Sequence, residues 1–346
     1  MSDEIELRSD NSAGVADEIM AAVAEANTGS ALAYGGDAWT AQLEAVVRDV
    51  FEHPEARVFP VVSGTAANSL ALAALCPPWG AVLCHDTAHV LRSECGATSM
   101  FSGGGVLQGV PGAGSLLDVS DLAAAFAAVR WGDPHHSQPA VLSLTSPTDL
   151  GAVYPVERIR SLAEAATARG LRVHLDGARI ANAISALGCS PAEYTWRAGV
   201  DAFSLGATKN GALSTDAIVC FDPAVADQLV YRVKRAGHVA SKMRYQSAQL
   251  VAYLTDGLWL RLAGRANAAM RRLADGVGEL GIALQLDPAA NMAFARVDTA
   301  LADRLEAAGL LFYWMGPDTI RLVTSFQTTL DQVDDVLGRV RSALTT

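Results

Sequence analysis

The sequence predicts an α/β fold: a mostly parallel sheet flanked by helices, with a smaller α+β domain at the C-terminal end. Three observations carry that expectation. Short apolar runs alternate with helical stretches from residue 58 to residue 221, and strands interleaved with helices argue for parallel pairing through crossovers. Much of the apolar content is alanine, as in 121–130 and 159–169, which suits helices that cover a sheet. Beyond about residue 248 the order becomes helix, strand, helix, strand, helix, the pattern of a small α+β unit.

Residues 1–27 read as an arm and a helix at 15–26. The arm carries Arg8, Ser9, Asp10 and Asn11, a cluster too polar for a core. A loop at 28–37 leads to a helix at 39–51 capped near Asp37. The run from Val58 to Val62 reads as a strand, and Ser63, Gly64 and Thr65 turn the chain into a helix at 66–75. Strands are expected at 81–84, 140–145, 171–175, 202–205 and 217–221, and helices from His89, at 118–129 and within 155–169. A long helical region follows at 256–280, then strands at 294–297, 311–314 and 320–322, with helices at 299–308 and 329–344. The organisation is an arm and helix at 1–27, a large domain at 28–250 and a small domain at 251–346. No linker rich in Pro, Gly and Ser separates them, so the small domain should pack closely on the large one.

The chain has 346 residues, 51% of them hydrophobic and 18% charged. It is a packed globular protein, long enough for two domains. A net charge of −11 argues against a nucleic-acid partner, which wants a basic stripe. No apolar run approaches the roughly 18–20 residues of a membrane span, and the acidic start has no leader-like apolar region. Five cysteines without a Cys-x-x-Cys pair read as free thiols in a reducing cytoplasm, and no metal site is expected.

Two apolar runs end in chemically loaded turns. Val173-His174-Leu175 leads into Asp176-Gly177, and Phe203-Ser204-Leu205 leads through Gly206 and Ala207 to Thr208-Lys209-Asn210-Gly211. A lone lysine after a strand means little, because most lysines are solvated. A lysine and a carboxylate paired in this way match the needs of pyridoxal phosphate, which takes an amine for its Schiff base and an acid for its pyridinium nitrogen. Gly64 and Thr65 open a helix whose free N–H groups and dipole suit a phosphate, although a Ser/Thr cap alone also explains them.

With several further stretches, these motifs resemble the low-specificity L-threonine aldolases, pyridoxal-phosphate enzymes of fold type I. The matching stretches are Arg-Ser-Asp-Asn (8–11), Ala-Tyr-Gly (33–35), Ser-Gly-Thr-Ala-Ala-Asn-Ser-Leu-Ala (63–71), Glu-Cys-Gly-Ala (94–97), His-Leu-Asp-Gly-Ala-Arg (174–179), Gly-Ala-Thr-Lys-Asn-Gly (206–211), Ser-Lys-Met-Arg (241–244) and Ile-Arg-Leu-Val-Thr (320–324). The resemblance covers nearly the whole chain, and Asp-Gly-Ala-Arg followed by Thr-Lys-Asn-Gly is its most specific part.

The resemblance implies a seven-stranded sheet in the large domain. It implies Lys209 as the Schiff-base lysine and Asp176 as the partner of the pyridine nitrogen. Gly64 and Thr65 would hold the phosphate, with Thr208 and Asn68 nearby, and His89 would stack on the ring. Lys242 and Arg244 would approach the phosphate, reaching it from a neighbouring subunit of a homodimer or homotetramer. Arg179 and Arg321 would bind the substrate carboxylate through their planar forks. Ser9 would add a hydrogen bond, and Tyr34 would join the substrate side. The implied reaction cleaves the Cα–Cβ bond of β-hydroxy-α-amino acids to glycine and an aldehyde. His89 or a bound water would act as the base.

The chain departs from the family pattern in three places. Gly36 stands where relatives often carry Asp, and after His89 the chain has Leu91-Arg92-Ser93-Glu94 where relatives often carry Thr-Asp-Glu, which should bring the Arg92 charge near the substrate. A second active-site histidine has no match around 145–149, since His135 and His136 read as surface residues. Two other readings stay open: a β-eliminating lyase or aminotransferase on the same fold, and a non-catalytic binding protein. A cysteine-desulfurase variant would need a mobile nucleophilic thiol, and Cys189 and Cys220 both sit in apolar contexts. The non-catalytic reading predicts loss of the lysine or the clamp, yet Lys209, Asp176, Arg179 and Arg321 are all present.

Overall fold

The computed structural model describes residues 4–345. The arm opens with a two-residue strand, β1 (Ile5–Glu6). Seven strands then build the central sheet: β2 (Arg57–Val61), β3 (Gly80–His85), β4 (Val106–Val110), β5 (Gln138–Thr145), β6 (Arg172–Gly177), β7 (Ala202–Leu205) and β8 (Asp216–Cys220), in the order β2-β8-β7-β6-β5-β3-β4. The pairings are parallel from β7 through β4. Only β8 runs against its neighbours β2 and β7. β3, β7 and β8 are buried along their whole length, as apolar strands covered on both faces must be.

The sheet agrees with the α/β expectation in its parallel order and its seven strands. β4 lay outside the sequence reading for a physical reason. Val106-Leu107-Gln108-Gly109-Val110 is mostly exposed at the sheet edge, so it shows neither alternation nor a continuous apolar run. The helix Pro223–Arg235, also absent from that reading, carries a local signal. Asp222 caps it, Pro223 opens it, and Arg232, Lys234 and Arg235 crowd its last turn.

The C-terminal part holds β9 (Met292–Arg296), β10 (Leu310–Leu311), β11 (Tyr313–Gly316) and β12 (Thr319–Val323). β11, β12 and β9 form an antiparallel sheet, while β10 pairs in parallel with β1. The arm therefore crosses to the small domain, and Leu7 is buried in one cluster with Met270, Leu305 and Phe312. The helix Leu258–Glu279 serves both cores: Trp259 and Leu262 pack with the large-domain core, Met270 and Leu273 with the small one. Each such side chain contributes about 1.5–3 kcal/mol on full burial, so this helix and the arm fix how the two parts meet. Among the described residues, no helix is long and apolar enough to cross a membrane.

Candidate active site

The parallel strands deliver their carboxyl ends to one side of the sheet, where α/β folds place ligands. β6 ends at Asp176 and Gly177, β7 leads to Lys209, and β2 leads through Ser63 into the helix Gly64–Leu75. β8 runs the other way, so its first residue, Asp216, arrives at the same edge opposite Val61. A cavity of about 230 Å³ opens there, lined by Gly64, Thr65, His89, Asp176, Arg179 and Lys209 among others.

Lys209 sits in a single 3-10 turn, Thr208–Asn210. Three contacts anchor that turn. The Asp216 carboxylate accepts the Ala207 and Thr208 N–H groups at 2.7 and 3.0 Å. Asn210 donates to the Tyr253 hydroxyl and the Trp259 carbonyl. Tyr253 donates to the Gly206 carbonyl. Gly206 is required because a Cβ there would lie 2.1 Å from the Ala178 carbonyl oxygen. The Lys209 amine makes no hydrogen bond or ion pair among the described residues. Burial, then the Arg179 charge, pull its pKa down.

Asp176 is buried. Its Oδ1 accepts from the Ala178 N–H at 3.1 Å and the Ser204 hydroxyl at 3.3 Å, which leaves Oδ2 without a partner among the described residues. Ser63 caps its helix by accepting from Ala66, so the Gly64 and Thr65 N–H groups remain open. The Thr208 hydroxyl is buried with no partner among the described residues.

His89 Nδ1 hydrogen-bonds Glu94 Oε1 at 2.9 Å, and Asn68 donates to the same oxygen. Asn68 is thus a partner of Glu94. The Glu94 bond pushes His89 up, and burial pushes Glu94 up, so the pair favours holding a proton between them. His89, Glu94 and Asp176 bring donor atoms within 4.8 Å of one another, a grouping that could take a cation. The His89–Glu94 hydrogen bond satisfies two of the three without one.

The other end of the cavity is built from distant segments. Arg179 forms a two-pronged ion pair with Asp10, Nε to Oδ2 at 2.6 Å and Nη2 to Oδ1 at 2.9 Å. Asn291 donates to Asp10 Oδ2 at 3.1 Å. Among the described residues Arg321 donates once, to the Arg8 carbonyl at 3.0 Å, while its Nε is buried and unpartnered. Burial, then the charge of Arg179, pull Arg321 down. Arg321 is therefore the less committed of the two guanidiniums. Ser9 caps the turn Asp10–Ser12 by accepting from the Asn11 N–H at 3.2 Å, and Asn11 lines the cavity.

Ser9 and Arg321 do not line the cavity themselves: Ser9 is bonded to Asn11, which does, and Arg321 lies within reach of the Arg179 charge. Three more residues assigned to the site stand apart from this chain's cavity. Tyr34 is exposed under the Lys234 amine, at φ +57°. Lys242 is exposed, and Arg244 donates to the Gly29 carbonyl and lies over the Tyr245 ring. The expectation for Arg92 is corrected: its Nε donates to the Asp86 carbonyl at 2.6 Å on the exposed side, so its charge is spent outside the cavity. Sequence reasoning gave no role to Asp10, Asp149, Asp216 or Asn291. Asp10 lay inside a matching stretch, and Asp216 stood at the head of an apolar run. Asn291 had no local signal, because its role exists only where the arm meets the small domain.

Pyridoxal phosphate fits these residues. An unpaired amine, an open carboxylate oxygen, a helix N-terminus with free N–H groups and an orphaned hydroxyl answer its aldehyde, its ring nitrogen and its phosphate.

The chain matches the beta-eliminating lyase family over residues 6–300. It is 40% identical to a low-specificity L-threonine aldolase of Pseudomonas aeruginosa, covering 97% of both proteins. A second enzyme of that description, from a Pseudomonas species, is 37% identical over 98% of both. A solved threonine aldolase of Leishmania major superposes with a TM-score of 0.91 at 24% identity, over 97% of this chain and 98% of that one. The chain belongs to the beta-eliminating lyase family and, within it, to the low-specificity L-threonine aldolases.

Proposed function

We propose that this protein is a pyridoxal-phosphate-dependent lyase that splits β-hydroxy-α-amino acids of the threonine, allo-threonine or phenylserine type into glycine and an aldehyde. The observation that carries the reading is that Lys209, Asp176 and Arg179 line one cavity. When bound, the cofactor supplies the sink for the electron pair released from the Cα–Cβ bond.

The chain's own residues do the rest. The lowered pKa of Lys209 enlarges its neutral fraction, the nucleophilic form. Asp176 keeps a carboxylate at the cavity floor, fixed by Ala178 and Ser204, to hold a protonated ring nitrogen. Gly64, Thr65 and Thr208 would hold the phosphate, through open N–H groups and an orphaned hydroxyl, and His89, braced by Glu94, would face the ring. Arg321 and Arg179 take the substrate carboxylate, with Ser9 beside them. Fixing the carboxylate sets which bond at Cα stands ready to break. Tyr34, Lys242 and Arg244 are read as serving the cavity of a second copy, in a homodimer or homotetramer. The free thiols support a reducing, cytoplasmic setting.

Purified holoenzyme given threonine, allo-threonine or phenylserine should release glycine and the matching aldehyde. Lys209→Ala should abolish both the release and the yellow colour of the bound cofactor. Pyruvate with ammonia, a keto acid, or no product from any of the three overturns the reading.

A further inference from the structure

We infer that Asp149 is the catalytic base that takes the proton from the substrate's β-hydroxyl, an inference that rests on the aldolase reading above. Asp149 lines the cavity with His89, Asp176 and Arg179. It stands in a turn that little can move. The Gly151 N–H donates to the Thr148 carbonyl at 2.9 Å, and the Thr148 N–H donates to the Ala152 carbonyl at 2.7 Å. The Thr148 hydroxyl accepts from Ser115 at 2.6 Å and from the Ala152 N–H at 3.1 Å. Gly151 sits at φ +82°, where a Cβ would lie 2.7 Å from the Met292 carbonyl oxygen. Leu150 packs on Met292, Phe294 and Val323 of the small domain. Both domains therefore hold the turn that carries the carboxylate.

The other carboxylates around the cavity are committed. Asp10 is bound by Arg179 and Asn291. Asp216 accepts two N–H groups, and Asp176 is fixed to Ala178 and Ser204, where it would serve the ring nitrogen. Glu94 shares a proton with His89 and keeps its other oxygen buried. Asp149 accepts no side-chain hydrogen bond among the described residues. The groups that favour its charge are His89, through its charge and its backbone N–H, and Arg179.

His89 is the rival base, but its Nδ1 is engaged by Glu94, a bond that favours the protonated ring. Burial, then the Asp176 charge, push Asp149 up to about 6. It is still ionised at neutral pH, yet basic enough to accept a proton.

In the step itself the β-hydroxyl O–H bond breaks and its proton moves to an Asp149 oxygen. The O–H pair becomes the second C–O bond of the aldehyde. The Cα–Cβ pair leaves with Cα into the electron sink, and the neutral aldehyde departs. Asp149 then returns its proton to solvent, and Cα takes one from Lys209 or water to give glycine.

Asp149→Asn should lower kcat for threonine cleavage by roughly 10²-fold or more. Glycine has no β-hydroxyl, so its Cα hydrogen exchange in deuterated water, read by NMR, should stay within about two-fold of the unaltered protein. The cofactor's visible spectrum and its titration with glycine should also be unchanged, which reports folding and binding apart from turnover. If Asp149→Asn does not load cofactor, Asp149→Ala with added formate takes its place, and formate should restore cleavage. Near-normal cleavage by Asp149→Asn, equal loss of cleavage and exchange, or no rescue by formate overturns the inference and leaves the aldolase reading intact. An unaltered protein that exchanges glycine but cleaves no β-hydroxy amino acid overturns both.

Discussion

At the cofactor end of the cavity every group lies within a few residues of a strand terminus and has a nearby anchor, whereas the substrate end is assembled from segments far apart in the chain. Asp176 is held by Ala178, and Lys209 follows Ala207 and Thr208, whose N–H groups rest on Asp216 eight or nine residues on. Arg179, by contrast, is held by Asp10 across 169 residues, Asp10 by Asn291 across 281, and Arg321 by the Arg8 carbonyl across 313. Strand ends on a rigid sheet can fix cofactor chemistry by local geometry. The substrate end depends on the arm being wedged between two domains. Substrate choice can therefore shift with the arm or the turn at Asp149 without touching the machinery around Lys209.

The largest effect should come from the cofactor end. Asp176→Asn keeps an oxygen for the Ala178 and Ser204 donors but removes the charge. We expect kcat to fall by roughly 10²–10³-fold, with thermal unfolding of the apoprotein little changed. A comparable drop in apoprotein stability would mean that Asp176 is mainly a structural carboxylate, and the contrast between the ends would lose its basis.

The same contrast explains what was legible in the sequence. Lys209, Asp176, Gly64 and Thr65 could be found because apolar strands, glycine turns and a helix start are local patterns, and chemistry placed at their ends inherits that legibility. The parallel sheet was readable for the same reason. The edge strand Val106–Val110 was not, because pairing with β3 creates it. The Arg179–Asp10–Asn291 chain was invisible, since its meaning lies in how β1 joins β10 and draws the arm onto the small domain. Tyr34, Lys242 and Arg244 show the reverse limit. Their stretches resemble the family's, yet in a single chain they stand outside the cavity.

Asp10→Asn tests the substrate end with a middle-sized effect. Arg179 is buried, and although desolvation works against its charge, its pairing with Asp10 raises the guanidinium above its ordinary value. Removing one partner of such a pair leaves an uncompensated charge, at a cost of about 3 kcal/mol. The Tm should drop by several degrees, and KM for threonine should rise more than kcat falls. Glycine should then raise the Tm of the variant less than that of the unaltered protein, because the guanidinium that takes its carboxylate has lost its brace. Equal glycine-induced shifts in the two proteins would show that Arg179 does not face the substrate.

The smallest effect concerns Asp149 and depends on pH. Its folded pKa lies near 6 against an ordinary value of 3.8, raised by burial and by Asp176 and offset in part by His89 and Arg179. Between these values the folded chain holds more of this proton than the unfolded chain does, so stability falls as pH rises through the window and levels off above it. An asparagine at this position would carry no charge and would not share that loss. Asp149→Asn should match the unaltered protein near pH 4 and exceed it above pH 7. The gain should be about 1–2 kcal/mol once the cavity's access to water is allowed for, or a few degrees in Tm. A stabilising substitution that removes activity is the signature of a charge kept for its chemistry. A Tm difference that does not vary with pH would mean that Asp149 carries no such burden.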